Sequence, residues 1–416
     1  MSNLDLIIVG AGMAGLCAAR TAVELGLNVL VLEKGIQAGG TTGLSDGIFN
    51  SCDPARQFPI DVHDSPEKHF LDILEYGHGK GHPELIKKYT YGATEALNWL
   101  EHIGFKFERG VTQEPGTLYP RSHKPIYGNG ESYINFLLSH LNSLSCTISY
   151  GSNVVGFKKD DSQPLSVVFE RGKNTIELTP RFGVILCAGG FCASNRLVST
   201  NFNLLSGSEY LGSPLCDGGV LTSAMDIGAE SVHMSYFELS VGDSAIEQLL
   251  LNPAEFILVN AEGRRFCRED LEFSSLCEAV LRQSGHCASI LYFGSGNDSA
   301  NRPQKIEDRF SNALAQYRKA CEIKSDEAFG KNPFYLKKVG YVTKTAVLAP
   351  KIMASLGGLN VNEFANVLDR NRQPIKGLFA AGEIVGGIFG EACSFGDNLA
   401  SAAVFARVAV REALKI

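Results

Sequence analysis

The chain has 416 residues, 44% apolar and 20% charged, a composition typical of a globular protein long enough for two domains. A formal net charge of -7, without clusters of Lys and Arg, excludes a broad nucleic-acid surface. The eleven scattered cysteines form no C-x-x-C pair, no apolar run reaches the ~18 residues of a membrane span, and no export signal opens the chain, so we expect a cytoplasmic protein with reduced thiols.

The first predicted elements form a β-α-β unit. Residues 4–9 indicate a strand buried on both faces, and residues 10–15 follow at once as Gly-Ala-Gly-Met-Ala-Gly. Small and apolar residues at helical spacing then run over residues 13–25, and a second strand over residues 28–32 ends in Glu33. This order of strand, glycine-rich turn, helix, strand and acidic residue predicts a dinucleotide-binding fold.

Each glycine of this turn has a separate physical role. Gly10 permits the tight turn, Gly12 lets the backbone approach a pyrophosphate, and Gly15 lets the helix pack closely on the strand. The helix N-terminus offers N–H groups and a positive dipole end to the phosphates, while Glu33 is placed to accept from ribose hydroxyls. We therefore favour dinucleotide binding over a purely structural glycine turn.

A loop rich in glycine and hydroxyl groups follows at residues 35–47. An NAD-binding domain normally continues into another helix at this point, whereas such a loop can wrap an isoalloxazine and its diphosphate with backbone donors. A flexible surface loop accounts for the same composition. By itself, the loop leaves both interpretations open.

The remaining elements are predicted from periodicity. We expect a helical stretch over residues 66–103, a strand pair near residues 154–178, a strand at 184–188, and helices at 271–283 and 305–322. The pattern changes at about residue 206, where polar and Gly-rich loops begin to separate the helical segments. This change indicates a second domain.

Several segments resemble the fumarate reductase/succinate dehydrogenase flavoprotein superfamily, which includes the 3-oxosteroid dehydrogenases. They are the loop at 35–47, residues 182–191, Asp217-Gly218-Gly219, residues 356–359, residues 377–383 and residues 386–407. The resemblance implies an α/β fold, with a Rossmann-like split FAD-binding domain and an inserted α+β capping domain. Its expected boundaries are 1–205 and 336–416 for the FAD-binding domain and 206–335 for the capping domain.

The motifs and the resemblance together imply a set of FAD-contacting residues. In the superfamily the turn into the last helix presents N–H groups to the flavin ring, which implies that Asn398, Leu399 and Ala400 start that helix and favour negative charge on the reduced flavin. The expected FAD contacts are Gly10, Gly12, Ala14, Gly15, Glu33, Lys34, Gly39, Gly40, Thr41, Thr42, Gly43, Ser45, Gly47, Val154, Ala188, Gly189, Asp217, Gly358, Gly382, Glu383, Asn398 and Leu399.

The histidines indicate neither a covalent flavin nor a metal. The membrane-bound members of the superfamily carry a flavin-linked His in the loop that here reads Thr41-Thr42-Gly43, and no His lies within residues 1–62, so we expect non-covalent FAD. His78 and His82 have a four-residue spacing, but the intervening glycines and the following Pro argue against a helix that carries both. We interpret them as loop residues and expect no metal site.

Four positions depart from the superfamily's polar substrate site. The resemblance aligns Phe273 with a proton-donating arginine, Met353 and Ala354 with a histidine pair, Cys393 with a substrate-binding arginine, and Ser240 with a further histidine. A dicarboxylate needs charge-assisted donors at its ends, so these changes argue against one. They favour a largely apolar substrate, as in the steroid-dehydrogenase branch, although the tyrosine of that branch near residue 273 is also absent.

The catalytic candidates are Glu238, Tyr236 and Arg268, of which Glu238 ranks first. It lies where the superfamily often has Gln and alternates with apolar residues, as on a strand. Desolvation would raise its pKa towards a value useful for a general base. A surface or salt-bridged glutamate is the alternative interpretation of Glu238, and Tyr236 and Arg268 have structural alternatives as well.

Three functions are consistent with these features. The leading hypothesis is an FAD-dependent desaturase or reductase that acts on a C–C bond next to a carbonyl in a rather apolar small molecule. The second is an amine or alcohol oxidase on the same fold, and the third is a protein that uses FAD in a non-redox role. No second G-x-G-x-x-G unit indicates a built-in NAD(P)H domain, and the electron donor or acceptor cannot be read from the sequence.

Overall fold

The structure is a computed structural model that describes residues 4–114, 116–141, 145–160, 163–241, 246, 249–250, 252–271, 273–293 and 304–415. Contacts divide the chain into two compact units. The first consists of Met1–Phe202, Gly212–Glu238 and Ala354–Ile416, and the second of Asn203–Leu211 and Leu239–Met353. The domain boundaries expected from the sequence stay predictions.

The strands are numbered along the chain as β1 (Leu6–Val9), β2 (Val29–Leu32), β3 (Phe49–Asn50), β4 (Ser122–His123), β5 (Cys146–Ser149), β6 (Ser152–Asp160), β7 (Gln163–Arg171), β8 (Asn174–Leu178), β9 (Gly183–Leu186), β10 (Ser231–Val232), β11 (Phe237–Ser240), β12 (Phe256–Val259), β13 (Ala288–Tyr292), β14 (Lys344–Leu348), β15 (Lys351–Ser355), β16 (Gly358–Leu359), β17 (Asn366–Leu368) and β18 (Pro374–Ala380).

The described α-helices are numbered in the same way as α1 (Met13–Glu24), α2 (Pro54–Gln57), α3 (Pro66–Tyr76), α4 (Pro83–His102), α5 (Glu131–Leu141), α6 (Asn195–Asn201), α7 (Gly219–Asp226), α8 (Phe273–Leu281), α9 (Gln304–Arg309), α10 (Ser311–Ile323) and α11 (Asp397–Ala413). His78 and His82 lie in the connection between α3 and α4, as the sequence predicts.

A six-stranded sheet forms the centre of the first unit, in the order β17-β18-β9-β1-β2-β5. All of its pairings are parallel except β17 with β18. Every residue of β1 and β9 is buried. Helices α1 and α11 pack on the sheet, and strand β7 contacts β9 and β18 as well. Helix α1 starts at the carboxyl end of β1 and packs against α11. The arrangement confirms the predicted Rossmann-like α/β fold.

The second unit contains the antiparallel sheet β12-β13-β14 together with α8, α9 and α10. A buried ion network lies in its interior: Arg265 contacts Glu269 and Asp326 at 2.9 Å each, and the Lys331 ammonium lies 3.1 Å from Glu269. Two buried cations thus meet two buried carboxylates, which balances the local charge. Strands and helices of this kind give the unit the α+β character that the sequence predicts.

Two element predictions need correction. The expected strand pair at 154–178 is a three-stranded meander of β6, β7 and β8, because Gly172 adopts a φ of +62° and lets the chain reverse between Arg171 and Asn174. The helix expected at 305–322 is divided into α9 and α10 at Phe310. Among the described residues, no helix is both long and apolar enough to cross a membrane.

Candidate cofactor and active site

The turn between β1 and α1 requires glycine at two positions. A Cβ at Gly10, whose φ is +106°, would lie 2.2 Å from the Cys187 carbonyl oxygen, and a Cβ at Gly15 would lie 1.9 Å from the Gly10 oxygen. Gly12 differs, since a Cβ there would meet only ordinary contacts of 3.6 Å. Gly10 and Gly15 therefore serve close packing, whereas Gly12 keeps open the space beside the helix N-terminus.

The glycine-rich loop lies against the first turn of α1. The Gly39 N–H donates to the Ala11 oxygen at 3.0 Å, and the Met13 N–H donates to the Thr42 hydroxyl at 3.1 Å. Further along the loop, the backbone carbonyl oxygen of Ser45 accepts a hydrogen bond from the Gly130 N–H at 2.8 Å. These bonds fix the loop beside the helix N-terminus. A short 3-10 turn spans Thr42–Leu44, and the Gly47 oxygen accepts from the Tyr133 hydroxyl at 2.9 Å.

Backbone around this turn leaves room for a diphosphate. Gly40 and Gly43 have no atom within 4 Å of an added Cβ, and Gly39 and Gly40 have φ values of +138° and +52°. N–H groups at a helix N-terminus next to open glycine backbone fit the pyrophosphate of FAD. The chain therefore offers the cradle that this cofactor needs.

Glu33 is buried and already carries two hydrogen bonds. One carboxylate oxygen accepts from the Ala11 N–H at 2.8 Å and the other from the Gly35 N–H at 2.7 Å. Each oxygen keeps a second lone pair for a ribose hydroxyl. The residue thus joins the glycine turn to the end of β2 and keeps the acceptor capacity that the sequence predicts.

We expect Glu33→Ala to weaken FAD binding by roughly 1–3 kcal/mol, because ribose hydroxyls and two backbone N–H groups lose their acceptor. The measurement is the dissociation constant from fluorescence titration of the apoprotein with FAD. Glu33→Gln keeps one oxygen for these donors and should weaken binding less. Unchanged affinity in Glu33→Ala would show that Glu33 does not contact the ribose.

Two side chains of the expected FAD set contact the segment 213–219. The Lys34 ammonium lies 2.6 Å from the Asp217 carboxylate, and the Thr41 hydroxyl accepts from the Ser213 N–H at 3.1 Å. A Cβ at Gly189, whose φ is +73°, would lie 2.5 Å from the Cys216 sulfur. These contacts bring the ends of β2 and β9 together with the segment before α7.

A second group of expected FAD residues follows β18. Gly382 has a φ of +81°, and a Cβ there would lie 3.0 Å from the Ala14 Cβ and 3.8 Å from the Ala402 Cβ. Burial raises the pKa of Glu383, whose carboxylate accepts from the Ser355 N–H at 3.0 Å. Three further residues of the expected FAD set lie elsewhere in the first unit. Gly358 has no room for a Cβ atom, Val154 is buried in β6 opposite Phe169, and Ala188 is half-buried.

Helix α11 begins one residue earlier than expected, at Asp397 rather than Asn398. The reason is Gly396, which adopts a φ of +98° and turns the chain immediately before the helix. The Asn398 amide donates to the Glu238 carboxylate at 2.6 Å, and the Asn398 N–H bonds to the Cys393 sulfur. Leu399 follows in the same first turn.

Glu238 is buried in β11, where all four residues are buried, which favours neither a surface nor a salt-bridged glutamate. Its pKa is raised to about 8, chiefly by burial and then by the nearby Glu383 and Asp397 carboxylates, against a lowering by the Asn398 hydrogen bond. No ion pair to its carboxylate is present in the part of the chain that the structure describes. The group can therefore hold or release a proton near neutral pH.

The other two catalytic candidates are engaged elsewhere. The Tyr236 hydroxyl bonds to Glu391, and its ring lies 4.9 Å from the His233 ring. Arg268 belongs to the second unit, where its guanidinium bonds Asp270 at 2.8 and 2.7 Å. Their catalytic roles stay predictions, and Glu238 has the stronger physical argument.

The residues that replace the superfamily's polar positions are apolar or neutral. Burial raises the pKa of the Cys393 thiol well above its usual value, so the thiol is uncharged at neutral pH. Ala354, which the resemblance aligns with one histidine of the pair, is buried. In the second unit, Phe273 packs on the hydrophobic cluster around Phe256, and Ser240 is buried.

Sequence reasoning missed a polar cluster around Asp397. One oxygen of its buried carboxylate accepts from the Asn50 amide at 2.9 Å and the Tyr89 hydroxyl at 2.8 Å, and His69 Nε2 lies 3.0 Å away. Asp397 adjoins the predicted Asn398, but its partners lie more than 300 positions earlier. Among the described residues, no group of three or more His, Cys, Asp or Glu side chains has the arrangement of a metal site.

Sequence comparisons with known proteins also indicate an FAD-binding protein. A sequence profile of the family described as FAD binding domain matches residues 5–398. NADH:fumarate oxidoreductase of Klebsiella pneumoniae is 27% identical over 99% of this chain and 48% of the relative, so the chain spans about half the length of that relative. Urocanate reductase of Eggerthella lenta is 28% identical over 98% of this chain and 74% of the relative.

A solved structure is similar over the whole chain. It is the 3-ketosteroid-delta4-(5alpha)-dehydrogenase of Rhodococcus jostii in complex with 4-androstene-3,17-dione, with a TM-score of 0.82 and 23% sequence identity. The match covers 100% of this chain and 97% of the chain in that structure. The comparisons confirm the predicted superfamily and FAD as the cofactor. The two named relatives are oxidoreductases of the predicted class. Non-covalent binding and the individual site residues stay predictions.

Proposed function

The chain belongs to the family of FAD binding domain proteins, and from that premise we propose that it dehydrogenates or reduces a C–C bond next to the carbonyl of a largely apolar small molecule. The named relatives that carry this class act on fumarate and urocanate, and a structural neighbour binds a steroid enone. The proposal concerns which of these substrate chemistries fits the residues of this chain.

The observation that carries the proposal is the charge around Glu238. Where the superfamily aligns a substrate-binding arginine, this chain has the uncharged Cys393, and the charges that act on Glu238 are those of the Glu383 and Asp397 carboxylates. A substrate carboxylate would have to give up its hydration without a cation to receive it, which costs several kcal/mol. A single carbonyl in an apolar site needs only one or two hydrogen-bond donors.

The proton of the reaction is assigned to Glu238. FAD, when bound, supplies or accepts the hydride and its two electrons. Reduction of a C=C bond also consumes one proton, which the protonated Glu238 donates to the carbon next to the carbonyl and then regains from solvent. In the reverse direction the Glu238 carboxylate removes that proton. The Asn398 amide, 2.6 Å away, orients the carboxyl group in either direction.

We expect enones or their saturated ketones, and not fumarate or succinate, to change the redox state of the enzyme. The reason is the absence of a cationic partner near Glu238 among the described residues. The measurement is anaerobic mixing of photoreduced enzyme with enones and fumarate, and of oxidised enzyme with the matching ketones and succinate, while flavin absorbance is followed.

The enones with their ketones and the pair fumarate and succinate form two panels of compounds. Each panel serves as a control for the other, because the two differ in charge and share an activated C–C bond. Rapid, saturable reoxidation by fumarate would overturn the apolar-substrate proposal. If FAD is bound and neither panel produces a response, the redox function itself is wrong, and a non-redox role of FAD would take its place.

A further inference from the structure

A buried carboxylate begins the last helix of the first unit. Asp397 is the first residue of α11, and its side chain is only 1% exposed. Three groups meet one of its oxygens: the Asn50 amide at 2.9 Å, the Tyr89 hydroxyl at 2.8 Å and His69 Nε2 at 3.0 Å. The other oxygen is buried and has no hydrogen-bond partner among the described residues.

These contacts keep the carboxylate ionised. Burial acts to raise the pKa of Asp397, but the neighbouring His69 and the hydrogen bonds from His69, Asn50 and Tyr89 outweigh it and lower the pKa. An anion at the first position of a helix is also favoured by the helix dipole. A negative charge therefore offsets the positive end of α11.

The N-terminus of α11 lies at the edge of the sheet where the cofactor binds. Gly382 lies two residues after β18. A Cβ atom added to it would lie 3.0 Å from the Cβ of Ala14, in the first turn of α1, and 3.8 Å from the Cβ of Ala402 in α11. The two helices also pack against each other. The first turn of α1 and the second turn of α11 thus come together beyond the carboxyl ends of β1 and β18, which is where ligands bind in such folds.

We propose that Asp397 is a positioning residue that tunes the cofactor: its fixed negative charge cancels the positive end of α11 and holds bound FAD at a lower reduction potential than a neutral residue would. A helix N-terminus without this charge would favour negative charge on the reduced flavin. A lower potential favours reduction of the substrate over its dehydrogenation. This consequence for catalysis rests on the proposed function, whereas the effect on the potential rests only on FAD binding.

The test is Asp397→Asn, which keeps an oxygen for the three neighbouring groups and removes the charge. We expect the variant to bind sulfite, which adds to oxidised flavin as an anion, about tenfold more tightly than the unchanged protein. A tenfold change corresponds to a rise of about 30 mV in the two-electron midpoint potential, measured by dye-coupled anaerobic reduction. Neither readout requires a substrate, so the proposed function can fail while this inference stands.

The matched control is Glu412→Gln, which removes one carboxylate from the other end of the same helix, about 22 Å away along its axis. It should leave sulfite affinity and potential unchanged. Asp397→Ser is a second neutral variant and should shift both readouts in the same direction as Asp397→Asn. An unchanged potential in flavin-loaded Asp397→Asn, or loss of FAD from both neutral variants, would overturn the tuning role.

Discussion

Glu238→Gln is expected to lower the rate of the redox step with a responding enone or ketone by about 10²–10⁴-fold, while FAD stays bound. The substitution keeps the shape of the side chain and the contact with Asn398 but removes the exchangeable carboxyl proton. The measurement is the single-turnover rate of the flavin absorbance change under anaerobic conditions. Among the candidates, only Glu238 combines a buried side chain with a pKa close to neutral pH.

The control for this variant is Glu230→Gln. The Glu230 carboxylate accepts from the Asn360 amide at 2.6 Å, so it forms the same kind of Glu–Asn pair in the same unit. Its neutralisation should leave the redox step unchanged. Equal losses in both variants, or full activity of Glu238→Gln, would remove Glu238 from the proton-transfer role.

Stability provides an independent check on the raised pKa of Glu238. Its value is about 8 in the folded chain, against 4.5 for an ordinary glutamate. Between these pH values the unfolded chain has lost a proton that the folded chain retains, so the free energy of unfolding falls as pH rises. The free energy of unfolding of Glu238→Gln, measured by denaturant titration at a series of pH values, should therefore equal that of the unchanged protein at pH 4.5 and below. Above pH 4.5 the variant should be the more stable protein, by a margin that grows until about pH 8.

The elements predicted well are those whose signal is local. The first β-α-β unit depends on residues adjacent in the chain, and the structure places β1, α1 and β2 within two residues of the expected bounds. Gly10 and Gly15 have the close contacts expected of them, because the steric demand of a tight turn is visible in the sequence itself. The boundary of α11 was misplaced by one residue, since the positive φ of Gly396 is a feature of the folded backbone.

Features that depend on contacts distant in sequence could not be predicted. Asp397 follows a glycine in a segment whose resemblance was recognised, but its partners His69 and Tyr89 belong to α3 and α4. Nothing in either helix pattern indicates that these side chains meet a carboxylate at the start of α11. Likewise, the sequence showed that Glu238 alternates with apolar residues, but only the structure shows burial of the whole strand and the contact with Asn398.

Gly12→Val is expected to abolish FAD retention without unfolding the protein. The backbone of Gly12 has a φ of -84°, which a valine tolerates, and an added Cβ would make contacts of 3.6 Å with the Gly39 oxygen and the Thr42 hydroxyl. The side chain would then fill the space over the first turn of α1, where backbone must approach the pyrophosphate. The measurements are thermal unfolding and the FAD released by acid precipitation.

The control for Gly12→Val is Gly110→Val, at a position with no atom within 4 Å of an added Cβ, which should retain FAD. Gly15→Val would instead collide with the Gly10 oxygen and is expected to destabilise the fold, so loss of flavin there would not report on binding. In the unchanged protein, acid precipitation should release intact FAD to the supernatant. Flavin in the pellet would contradict non-covalent binding, and a folded Gly12→Val that retains FAD would show that the pyrophosphate does not approach this turn.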